Sequence, residues 1–141
     1  MSRTKLALSL LAALAFTAPG LARAEMITFN AKMSADTEVP PNPSKGTGEG
    51  KLVLDTTTKT ATYTVTYSGL TGPATMAHIH GPAAVGANAP VLFPFASAGS
   101  PATGTITLTD AQIADLMAGK YYFNVHTAEN KGGEIRGWLA R

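Results

Sequence analysis

The stretch AHIHGP, residues 77–82, sets two imidazoles at alternate positions, and the chain holds one further histidine, His126. On an extended strand, residues two apart share a face, so His78 and His80 project together with Cα atoms about 7 Å apart. Neutral imidazole nitrogens are good donors to copper and to zinc. The three residues therefore form a candidate metal centre of His78, His80 and His126; with no thiolate or thioether in that set, copper(II) or zinc is the natural candidate, copper the first choice and zinc the second. The competing reading makes them solvated or hydrogen-bonded polar residues on a wet sheet face. An isolated HxH pair favours that second reading. Three histidines, all on predicted strands and all of one parity, shift the balance toward a metal.

Parity follows from the elements that must carry them. In TMAHIHG, Ala77 and Ile79 fall on one side, and Met76, His78 and His80 on the other. In KYYFNVHT, Tyr121, Phe123 and Val125 make the apolar set, leaving Tyr122, Asn124 and His126 opposite. In GEIRGWLA, Ile135, Gly137 and Leu139 make it, leaving Glu134, Arg136 and Trp138. The strands at 120–127 and 134–139 are separated by NKGG and should form a hairpin, which places His126 near Glu134 or Arg136. Local sequence does not say whether the HIH strand lies beside that hairpin.

Several residues of the same parity or loop could line such a centre. Glu134 could orient a ligand's distal N–H, or form a surface ion pair with Arg136 of little energetic weight. Met76 offers copper(I) a soft sulfur, or simply fills a gap. Glu38 is either a carboxylate reaching the site or one bonded to backbone N–H groups of its own loop. Asn124 and Trp138 read as cover for the sheet edge.

Around these strands the alternation recurs. Segments 26–33, 48–55, 60–67, 74–80, 91–95, 103–108, 120–127 and 134–139 read as strands, and TATYTVTY is the clearest, with a row of threonines opposite Ala61, Tyr63, Val65 and Tyr67. Glycine- and proline-rich turns separate them. One helix is expected at TDAQIADLMAG, capped by Thr109 with Gln112 completing a capping box and Gly119 ending it. The fold class is all-β: an antiparallel Greek-key-type β-sandwich of about eight strands with one short helix. EVPPNPSKGTG, 38–48, should cross one end of it.

Residues 1–24 read as an export signal: a basic start, the apolar run LALSLLAALAFTA, and ARA as a small-x-small site for cleavage after Ala24. The run is short for a membrane span, and no later stretch is long and apolar enough for one. The expected mature chain, 141 less 24 or 117 residues, is one domain, exported to the periplasm or beyond the cell. Arg3, Lys5 and Arg23 leave with the signal, so 8 basic residues face 9 acidic ones and the net charge is −1. That removes the electrostatic warrant for a nucleic-acid partner. With no cysteine in the chain, disulfides, thiolate metal sites and cysteine nucleophiles are excluded. No GxSxG nucleophile motif and no phosphate-cradling glycine loop occurs.

EVPP at 38–41, YTVTYSGL at 63–70, AHIHGPA at 77–83, AGKYYFNVHT at 118–127 and GGEIRGWL at 132–139 fall in the order and spacing of the CHRD domain. The sequence resembles that family from about Ile27 to Leu139, which makes 25–141 a CHRD domain. The family is named for repeats in the extracellular protein chordin and occurs widely in exported bacterial proteins. More distantly, the domain is similar to the Cu/Zn superoxide dismutase sandwich, where an HxH strand and a later strand histidine ligate copper. By that resemblance His78 and His80 match the pair and His126 the later ligand. The departures are the missing bridging histidine, zinc loop and disulfide, and Arg136 is the sole stand-in for the arginine that guides superoxide. The resemblance implies a three-histidine copper site without zinc and does not imply efficient dismutation.

Three functions compete on these grounds. One is an exported copper-binding protein for sequestration, delivery or redox chemistry. The second is an interaction module contacting another exported protein, with no metal role. The third is a superoxide dismutase-like metalloenzyme. Whether the chain is an enzyme at all stays open at this level.

Overall fold

The computed structural model describes residues 24–141, so the expected export signal lies, apart from Ala24, outside the described residues. Eight strands follow in order: β1 Met26–Ser34, β2 Thr47–Asp55, β3 Thr60–Ser68, β4 Ala74–His80, β5 Val91–Pro94, β6 Ala102–Thr107, β7 Tyr122–Thr127 and β8 Ile135–Trp138. Among the described residues the single α-helix, α1 Asp110–Met117, sits between β6 and β7 and carries the expected capping box of Thr109 and Gln112. A 3₁₀ turn at Ala35–Thr37, which no sequence pattern announced, follows β1.

All pairings are antiparallel, and the strands hydrogen-bond in the order β5-β4-β7-β8-β1-β2-β3-β6. Hydrogen bonding thus makes one sheet, not two. Its centre is a narrow seam: β8 meets β1 only at the Ser34–Arg136 pair, with an isolated bridge between Asn30 and Ala140. The sheet folds about that seam, so β2 and β3 face β7 across the core as the layers of a sandwich would. Gly50 of β2 marks how close they come, because a Cβ there would collide with the Phe123 ring.

Period-two alternation fills this interior. Ile27, Phe29, Ala31 and Met33 of β1 are buried while their neighbours in the strand face outward. Ala61, Tyr63 and Val65 of β3 do the same. Tyr63 stacks on Phe95 at 4.1 Å between centroids, and both rings lean on Phe123. The β7 and β8 strands depart from this pattern. Every residue of β7 is buried, so its second face is covered as well.

Candidate metal centre

The register of β4 against β7 pairs Met76 with His126, His78 with Asn124 and His80 with Tyr122. Ala77 and Ile79 of β4, and Phe123 and Val125 of β7, enter the core. Alternation therefore sends His78, His80 and His126 to the other face of the same half-sheet. The adjacency that local sequence left open is supplied by this ladder.

That face is not wet. The three histidines are 8, 7 and 6% exposed respectively. Segments 38–44 and 81–90 lie over it and are tied together where Asn88 Nδ2 donates to the Val39 carbonyl at 3.0 Å. The EVPP segment, expected to cross an end of the sandwich, is thus part of the cover over this face.

Hydrogen bonds fix the rings. His80 Nδ1 lies 2.9 Å from the Ala89 carbonyl oxygen, and His126 Nδ1 lies 2.9 Å from that of Lys131. A carbonyl can only accept, so both Nδ1 atoms carry the proton and both Nε2 atoms keep a lone pair. His126 Nε2 faces His78 Nδ1 at 3.0 Å. His80 Nε2 is buried without a hydrogen-bond partner, a costly state for a lone pair that binds no donor. One nitrogen from each residue lies within 4.8 Å of the other two. Metal–nitrogen bonds of about 2.0–2.1 Å put neighbouring ligands about 3.3–3.6 Å apart, so ring rotations of about 1 Å would close the set. The residues present fit a metal ion.

The protonation state agrees with that use. Burial, then the proximity of His126 and His80, lowers the pKa of His78 to about 4. His80 and His126 are also lowered, each chiefly by burial. All three are neutral at pH 7, which is the form that binds metal.

Arg136 is not the solvent-facing partner of Glu134 that a surface pair would need. Its Nε and Nη2 bond Glu38 Oε2 at 3.1 and 3.0 Å, its Nη1 reaches the Ala87 carbonyl at 3.3 Å, and Nη2 donates to Asn88 Oδ1 at 2.7 Å. Both ends of the ion pair are buried, Arg136 at 2% exposure. All three guanidinium nitrogens have acceptors, so four of the five N–H groups of Arg136 are committed to structure and a single N–H, on Nη1, lies outside these bonds. Glu38 also accepts from Asn124 Nδ2, and the close approach of Gly133, φ +128°, leaves no room there for a side chain. Burial pushes the Glu38 carboxyl up against the pull of Arg136 and Asn124.

Glu134 touches none of the imidazoles. Its carboxylate accepts from Ser44 Oγ, Thr71 N, Thr71 Oγ1 and Thr127 Oγ1 at 2.6–2.7 Å. The ring N–H groups it might have oriented are held by backbone carbonyls instead. Met76, half exposed at 49%, stands beside His126 as its strand partner. The residue sequence reasoning passed over is Tyr122: its ring lies parallel to His80 at 5.0 Å, Arg136 Cζ sits 4.1 Å from its centroid, and its hydroxyl accepts from Ala89 N at 3.1 Å. Its parity with Asn124 and His126 was the available signal.

Compared with known families, the chain matches the family model described as CHRD domain over residues 29–139. Comparison with curated proteins and with solved structures finds no match.

Proposed function

This chain belongs to the CHRD domain family, and we propose that it is an exported protein that binds one copper ion through His78 Nδ1, His80 Nε2 and His126 Nε2. The observation that carries this is the convergence of three imidazole nitrogens from two strands, β4 and β7, on one covered point, with the Nε2 of His80 left without a protein partner. Export rests on the signal-like residues 1–24. Among the described residues no helix is long and apolar enough to cross a membrane.

In this reading Ala89 and Lys131 hold the distal N–H groups of two ligands, fixing ring orientation and raising basicity at the donor atoms. Tyr122 fills the space behind His80, and the Glu38–Arg136 pair pins the 81–90 loop that excludes water. Copper held there would serve as cargo for sequestration or delivery, or supply one-electron chemistry. A dismutase-like activity is the less supported use, because Arg136 is buried and its charge is paired with Glu38.

The test is stoichiometry. Purified protein should bind about one copper per chain, and His78→Ala or His126→Ala should abolish it. Full occupancy in both variants would reject the site.

A further inference from the structure

We infer that the site is built for copper(I) in preference to copper(II) or zinc(II). The inference rests on the copper reading above and concerns the charge the surroundings can accept.

Every candidate donor is an imidazole nitrogen, which brings no negative charge when it ligates a metal. The carboxylate nearest in the network, Glu38, is consumed by Arg136 and Asn124. Glu134 is consumed by three hydroxyls and an amide. The one fixed cation of the network, Arg136, is matched by Glu38 and leaves no negative surplus for a metal. An incoming ion therefore keeps nearly its whole charge in a pocket whose ligands are 6–8% exposed. The desolvation cost of an ion grows with the square of its charge, so a divalent ion is penalised about four times as heavily as a monovalent one.

Geometry points the same way. Copper(II) favours a square or tetragonal set of nitrogen and oxygen donors. Among the described residues, the three nitrogens drawn from two adjacent strands come with no fourth nitrogen and no carboxylate oxygen to complete such a set. Zinc(II) would meet the same charge penalty. The strand partner of His126 is Met76, a thioether, which is a donor type that selects copper(I).

The experiment is competition on the full exported chain. Copper(I) is supplied anaerobically against bicinchoninate, and copper(II) and zinc(II) against nitrilotriacetate. Copper(I) is expected to bind at least a hundredfold more tightly than copper(II), which places the bound couple about 120 mV above that of the unbound ion at 59 mV per decade. Zinc(II) should fail to displace copper(I). Equal or tighter binding of copper(II) would overturn this inference while leaving copper binding in place. No binding of copper in either state would overturn both. Wild-type protein suffices, so failure of a variant to fold cannot blur the result.

Discussion

His78 and His126 share one hydrogen bond across two paired strands, Nδ1 to Nε2 at 3.0 Å. Since His126 Nδ1–H already donates to Lys131, His126 Nε2 must accept and His78 Nδ1 must carry the proton. A metal bound at His78 Nδ1 displaces that proton to His78 Nε2. The metal-free and loaded forms should therefore differ in the tautomer of His78 alone, with His80 and His126 unchanged. Long-range ¹H–¹⁵N spectra of imidazole-labelled protein, loaded with copper(I) to stay diamagnetic, read this directly. An Nδ1–H tautomer at His78 in both forms would remove it from the ligand set.

Burial of the same cluster gives the metal-free protein a pH signature. His78 has a pKa of about 4 when folded against 6.5 as an ordinary histidine. Between those values the unfolded chain holds a proton that the folded one does not, so stability is complete above pH 6.5 and falls as the pH drops toward 4. At about 1.4 kcal/mol per pH unit the loss is on the order of 3 kcal/mol. Urea unfolding from pH 7.5 to 4 should show at least this loss, since His80 and His126 shift in the same direction, and His78→Phe should reduce the slope. Imidazole resonances that titrate near 6.5 would contradict the buried cluster.

The alternation of β4, β7 and β8 carried most of what could be read beforehand, because strand geometry fixes face by residue number. Parity put His78, His80 and His126 each on the side of its strand opposite the apolar set, without any knowledge of pairing. Three features lay beyond it. The pairing of β4 with β7 is a long-range choice with no local signature. The ring orientations depend on the carbonyls of Ala89 and Lys131, and a carbonyl is present at every residue. The partner of Arg136 is Glu38, some hundred residues away, whereas local spacing offered Glu134. A strand-face rule assumes that one face is solvated; here loops 38–44 and 81–90 cover both Arg136 and the histidines, so polar parity no longer meant exposure.

Asn88 offers a way to disturb the centre without touching a ligand. It accepts from Arg136 at 2.7 Å and donates to Val39 at 3.0 Å, one residue before the carbonyl that holds His80. The side chain is exposed, so Asn88→Ala opens no core cavity. Loss of these bonds should cost about 1 kcal/mol of stability. Copper affinity should fall further, by about tenfold or more, because groups that orient a metal-binding histidine typically contribute that much. Paired melting and competition titrations check this; affinity unchanged within a factor of two would mean the loop does not set His80.

Glu134 separates fold from site. Its four hydrogen bonds tie the start of β8 to Thr127 across the hairpin and to Ser44 and Thr71, two segments remote in sequence. Burial alone would raise its pKa, but the bonds from Ser44, Thr127 and Thr71 outweigh it and hold the carboxyl at about 2. Because this folded value lies below the ordinary 4.5, its contribution is complete above pH 4.5 and lost as pH falls toward 2. The amount is about 3 kcal/mol. Glu134→Gln puts an N–H₂ group among donors and should remove roughly 2–3 kcal/mol at pH 7. Copper stoichiometry and affinity should stay at the wild-type level in that variant, since the carboxylate touches no imidazole. Urea unfolding at pH 7 and pH 3 together with copper titration tests both halves; a variant as stable as wild type, or one that loses copper while folded, would contradict the separation.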